Sequence, residues 1–161
     1  MESEKLTDKH FLYPGTIYAK PHACLISTVL GSCVAVCLWD KVARKGGMNH
    51  LMLPLWNGEG LATPKYGNIA MEKLLAKVLS IGCRHVDLVA KVFGGANVSQ
   101  TGLEVFMIGD RNITLAFQML EDFRIPVVAN DVGGSVGRKI IMNSATGVVM
   151  VGRGRSAGAG K

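Results

Sequence analysis

No apolar run in this chain approaches the roughly 20 residues that a membrane-spanning helix requires, so no helical span is expected. Aromatic residues are scarce, with two Trp, three Tyr and five Phe in 161 residues. They are not interleaved with basic residues, which argues against a stacking platform for single-stranded nucleic acid despite the basic pI of about 9.3. Tight pairs of Cys and His knuckles are missing, so structural zinc is not expected. The Walker pattern and the dinucleotide fingerprint are both absent. The start, Met1-Glu2-Ser3-Glu4-Lys5, is polar and acidic and unlike a secretory signal. A soluble cytoplasmic protein is the expectation.

Apolar residues make up 48% and charged residues 19% of the chain, a balance that excludes disorder and supports one compact domain with a core. The four cysteines, Cys24, Cys33, Cys37 and Cys83, have no export signal beside them and read as free thiols rather than a disulfide framework. Five of the 18 basic residues and none of the 12 acidic ones lie from Arg138 onward. That segment would attract an acidic partner or simply be solvated. The expected organisation is a flexible arm at 1–10, a single domain at 11–152 and a flexible basic tail at 153–161.

Hydrophobic periodicity divides the domain. Thr16–Ala19 and Cys24–Leu30 read as strands. Cys33–Trp39 is a nearly unbroken apolar run, as in a strand buried on both faces. Asp40–Lys45 is a polar connection, and Met48–Leu53 is a further strand stopped by Pro54. Ile69, Met71, Leu74, Leu75, Val78 and Leu79 recur at helical spacing before Gly82. His85–Phe93 reads as a strand ending at Gly94-Gly95. A second helix is expected to begin at Asp110 as its cap, with Ile113, Ala116, Phe117, Leu120 and Phe123 on one face. Three strands follow, at 125–129, 139–142 and 148–151. Strands and two helices that do not strictly alternate predict a layered α/β (α+β) sandwich.

Candidate chemistry gathers at Gly31-Ser32-Cys33, where a thiol follows a glycine at the mouth of a buried strand. A free thiol is mostly protonated at neutral pH and needs a base to become a nucleophile. If Cys33–Trp39 and Met48–Leu53 form an antiparallel hairpin centred between residues 41 and 43, His50 lies opposite or diagonal to Cys33, within side-chain reach. A Cys–His pair of that kind attacks a carbonyl; the same two residues also serve in packing, and spacing alone does not separate these readings. His22 and His85 read as surface or capping residues, and Cys37 as core. Gly94-Gly95 and Gly133-Gly134 with Gly137 read as tight turns.

The stretch Ser27-Thr28-Val29-Leu30-Gly31-Ser32-Cys33-Val34-Ala35-Val36-Cys37-Leu38-Trp39-Asp40, followed by Gly46-Gly47-Met48-Asn49-His50-Leu51-Met52-Leu53-Pro54, resembles the signature of the CheD chemoreceptor glutamine deamidases. The blocks Val92-Phe93-Gly94-Gly95-Ala96, Ile108-Gly109-Asp110-Arg111-Asn112 and Asp131 to Lys139 resemble that family in the same order. The resemblance implies a sandwich related to the catalytic domains of deamidating toxins, with Cys33 as nucleophile and His50 as base. It implies a third, hydroxyl residue, which falls on Ser27 by position, with Thr28 as the alternative. Gly31, Ser32 and Thr28 would contact substrate, and N–H groups of the Gly31–Cys33 turn would bind the oxyanion. The implied reaction needs neither metal nor cofactor. The implied partners are methyl-accepting chemotaxis receptors as substrate and a CheC-type phosphatase, and a docking module in which catalysis is secondary is the alternative function.

Overall fold

The run Val34–Asp40 is apolar on both sides because it is a central strand with a protein layer on each face. In the computed structural model, which describes residues 8–97 and 103–154, this strand is β4. It follows β1 (Lys9–Phe11), β2 (Ile17–Ala19) and β3 (Leu25–Leu30). After it come β5 (Lys45–Asn49), α1 (Gly67–Ser80), β6 (Leu88–Gly94), α2 (Leu103–Phe123), β7 (Val127–Val132), β8 (Arg138–Asn143) and β9 (Val149–Arg153). Two sheets form, a four-stranded one ordered β1-β3-β8-β9 and a five-stranded one ordered β2-β5-β4-β6-β7.

The alternation of side chains along β4 shows how the layers stack. Val34, Val36 and Leu38 pack with Ala70, Met71 and Leu74 of α1 and with Ala116 and Leu120 of α2. Ala35 and Cys37 face the other way and pack with Ile26, Ile140 and Met142 of the four-stranded sheet. The result is the layered α/β sandwich expected from the sequence, in the order sheet, sheet, helices. Among the described residues no helix is long and apolar enough to cross a membrane.

The β4–β5 hairpin pairs Asp40 with Lys45 and Cys37 with Met48, so its centre falls between Val42 and Ala43. Four local expectations are corrected. Residues 9 and 10, expected in a frayed arm, belong to β1, where Lys9 and His10 pair in parallel with Leu25 and Ile26; residues 1–7 lie outside the described residues. Residues 85–87 form a single 3-10 turn before β6. Helix α2 begins at Leu103, not at Asp110. Gly109 does not interrupt it, because its bare backbone admits the carbonyls of Gly95 and Ala96; a Cβ there would stand 2.9 Å from the Gly95 oxygen. Finally, Arg153, placed in the tail, ends β9 and pairs with Asp131 at 2.6 Å. Gly154 donates to the Gly137 carbonyl at 2.8 Å, and residues 155–161 lie outside the described residues.

Candidate active site

Beyond Asn49 the hairpin ladder is interrupted, and the Asn49 side chain fills the gap by accepting the Val36 N–H at 2.8 Å. The register survives the interruption. Val34 and Leu51 exchange backbone bonds of 3.1 and 2.9 Å. Met52 therefore stands across from Cys33, and His50 lies on the diagonal. Cys33 and His50 share the face of the sheet that looks toward β3, at diagonal positions, which in a regular antiparallel pair stand roughly 7–8 Å apart.

His50 is 1% exposed. Its Nδ1 lies 2.7 Å from Thr28 Oγ1, and the same hydroxyl donates to the Leu12 carbonyl at 2.7 Å. A threonine hydroxyl has one proton. With that proton committed to Leu12, Oγ1 accepts from His50, so Nδ1 carries the imidazole hydrogen and Nε2 keeps the free lone pair. The chain Leu12–Thr28–His50 thus fixes both ring orientation and tautomer.

The hydroxyl on His50 belongs to Thr28 and not to Ser27, the residue favoured by position. Ile26, Thr28 and Leu30 are the buried side of β3, while Ser27 and Val29 alternate onto its outer face. Ser27 pairs with Phe11 and Ile141 across that sheet, and it has no route to the imidazole.

Of the four cysteines, Cys24, Cys37 and Cys83 are buried and Cys33 alone is half-buried. Burial pushes the Cys37 thiol up to about 12 and the Cys83 thiol to about 11. It also raises Cys33, and it pulls His50 down to about 4. Both shifts disfavour the charged forms, so the resting pair is neutral thiol and neutral imidazole.

The turn before β4 is shaped by its neighbours. Gly31 accepts from the Ala96 N–H at 2.9 Å, and Cys33 accepts from the Gly95 N–H at 2.8 Å. In a regular antiparallel ladder the Gly95 carbonyl would return a bond to the Cys33 N–H. Here Gly94 and Gly95 hold φ of 106° and 74°, a left-handed bend suited to glycine, and the Gly95 oxygen packs against Gly109 of α2 instead. Among the described residues, the N–H groups of Ser32 and Cys33 meet no acceptor.

The other histidines lie elsewhere. His22 pairs with Asp8 at 3.2 Å on the surface, and His85 Nε2 bonds the Phe123 carbonyl at 2.7 Å at the end of α2. Among the described residues, no three His, Cys, Asp or Glu side chains converge to hold a metal ion. Two contributors were not singled out from sequence. The Leu12 carbonyl is a backbone group with no residue-type signal. Asn112 sits on the α2 face shared by Gly109, Ile113 and Ala116, a spacing that marks it as inward-facing and polar.

This is an α/β protein whose one half-buried thiol shares a sheet face with a hydroxyl-anchored, neutral imidazole. Residues 52–153 match the family described as CheD chemotactic sensory transduction. A protein of Trichlorobacter lovleyi is 65% identical over 147 residues, 91% of either chain. One of Sulfurimonas denitrificans is 46% identical over 145 residues, 89% of this chain and 93% of that one. Both bear the name "Probable chemoreceptor glutamine deamidase CheD". The chain belongs to the CheD family.

Proposed function

We propose that this protein hydrolyses glutamine side-chain amides to glutamate on methyl-accepting chemotaxis receptors in the cytoplasm, with Cys33 as nucleophile and His50 as base. The observation that carries this reading is the half-buried Cys33 on the same sheet face as an imidazole whose Nε2 is left free by the Thr28 bond.

As Cys33 Sγ attacks the amide carbon, His50 Nε2 takes the thiol proton. The amide oxygen becomes an oxyanion, and the Ser32 and Cys33 N–H groups, which meet no backbone acceptor among the described residues, are suited to bind it. The imidazolium then gives its proton to the departing nitrogen, and ammonia leaves a thioester on Cys33. The low pKa of His50 makes this imidazolium a strong acid toward the leaving amine. Water, losing a proton to Nε2, attacks the thioester and yields glutamate and the free thiol. Throughout, Nδ1–H stays on Thr28.

Thr28→Val keeps the shape and removes the hydroxyl. It leaves two buried groups, Nδ1–H and the Leu12 carbonyl, without partners, at about 1–3 kcal/mol each. Turnover should fall up to about 100-fold through loss of ring orientation, while Ser27→Ala should leave it near wild type. A larger defect from Ser27→Ala, measured as ammonia release, would return the role to Ser27.

The substrate should be glutamine presented on a folded receptor helix. Selecting free glutamine requires fixed charges near the nucleophile, and neither Leu25–Trp39 nor Leu51–Trp56 contains a charged residue. Contacts remote from the amide would then supply the binding energy. A groove lined by Pro54, Leu55, Asp110, Arg111 and Leu115, between α2 and the segment leaving His50, offers such contacts, its one acid and one base lying outside those two segments. The test compares free glutamine, a glutamine peptide and a folded receptor signalling domain, read as ammonia and as amide-to-acid mass change. Turnover of the receptor domain alone is expected; equal turnover of free glutamine would sink the receptor reading. Docking of a CheC-type phosphatase is a separate matter, tested by binding to the Cys33→Ala protein, which keeps its surface.

A further inference from the structure

The geometry points to Asn112 as a positioning residue that sets the spacing between the turn bearing Cys33 and the segment bearing His50. This rests on the reading of those two residues as nucleophile and base. The β4 ladder closes with the bonds between Val34 and Leu51. One rung further, in the same register, Ser32 would accept from the Leu53 N–H. That rung is broken, because the Leu53 N–H goes to the Lys65 carbonyl at 3.0 Å. The two strands are therefore not bonded to each other at the rung beside Cys33.

Asn112 enters the gap from α2. Its Nδ2 donates to the Ser32 carbonyl at 3.2 Å and to the Met52 carbonyl at 3.1 Å. Ser32 directly precedes Cys33, and Met52 stands across from it, two residues past His50. One amide therefore replaces the missing rung and ties the nucleophile's turn to the strand that carries the base. Both partners are carbonyls, so the orientation of the side chain is settled and both Nδ2 hydrogens are used. Oδ1 is left buried with no donor among the described residues, on a residue that is 0% exposed. An apolar side chain would fill this place without an orphaned oxygen, so what distinguishes asparagine here is its double donor. The same helix face supports the other side of the turn, where Gly109 and Ile113 pack on Gly95.

The test uses the full chain with Asn112→Leu, which is close in size and has no donor, and Asn112→Ser, which keeps one. Each is assayed for kcat and KM on a folded receptor domain, for the pH profile of Cys33 alkylation by iodoacetamide, and for thermal melting. Misplacement of a reacting pair by about 1 Å costs about 100-fold. Asn112→Leu should lose about that much in kcat, with KM changed less than about threefold. Its alkylation profile should move toward the alkaline profile of His50→Ala. Asn112→Ser should lose about tenfold in kcat, and it carries the test if the leucine variant does not fold. A purely structural role would lower the melting temperature and leave the profile of the folded molecules unchanged. A folded variant with wild-type kcat or a wild-type alkylation profile overturns the assignment. If Cys33→Ala deamidates at the wild-type rate, it is the nucleophile reading that fails, whatever Asn112 does.

Discussion

Cys33→Ala should abolish deamidation, with a loss of at least about 10⁴-fold, because removal of a covalent nucleophile leaves only binding and electrostatic contributions. The fold should survive, since Cys33 is half-buried at the entrance to β4 and one missing sulfur there opens little cavity. Cys37→Ala is the informative control. Cys37 is 2% exposed in the layer between the sheets, and its loss should cost stability without touching turnover. Differential alkylation gives an independent reading: iodoacetamide should label Cys33 well before Cys24, Cys37 or Cys83, whose burial both hides and neutralises the thiols. Ammonia release by the alanine protein at the wild-type rate would remove Cys33 from the mechanism.

His50→Ala should lower kcat by roughly 10³-fold, the scale of a lost general base, and should change the pH dependence in a defined direction. In the wild type the base-competent form is neutral imidazole. Its pKa is depressed to about 4 by burial, so the competent form is present throughout the neutral range. Turnover should be level there and fall only as pH drops through about 4. On the other side the Cys33 thiol is raised by burial and rests protonated, so its alkylation at neutral pH depends on His50 taking the proton as sulfur attacks; without His50 it should be slow there and climb only on the alkaline side. Identical alkylation profiles for wild type and His50→Ala would show that the imidazole does not serve this thiol. A wild-type acidic limb near the ordinary histidine value would show instead that His50 is hydrated and not held in the buried chain Leu12–Thr28–His50.

The sheet and helix content was readable because burial writes a period into the chain. Val34–Asp40 is apolar at every position but the last because both faces are covered, and Ile69 to Leu79 repeats at helical spacing because one side of α1 lies on the sheet. The hairpin was readable too: a polar turn between two apolar runs locates its centre, and a centre between Val42 and Ala43 places His50 diagonal to Cys33. Asp110 has the residue type of a helix cap, yet α2 starts at Leu103 and runs through Gly109 and Asp110. Glycine is retained inside the helix for close contact with Gly95 and Ala96, a reason that lies in another part of the chain.

By itself, then, the sequence determined the layered class, the strand that Cys33 precedes, and the hairpin register that puts His50 diagonal to Cys33, all of which depend on residues near one another along the chain. Only the tertiary structure decided which hydroxyl meets the imidazole. Along β3 the two faces read Leu25-Ser27-Val29 and Ile26-Thr28-Leu30, equally apolar and each with one hydroxyl, so alternation cannot say which side turns inward. Packing of Ile26 and Leu30 with Ala35 and Cys37 of β4 makes that choice, and Thr28 goes with them to His50. The Leu12 carbonyl and Asn112 reach the site in the same way, from a loop and a helix distant in sequence. Their roles come from hydrogen bonds between surfaces that only the packed layers bring together.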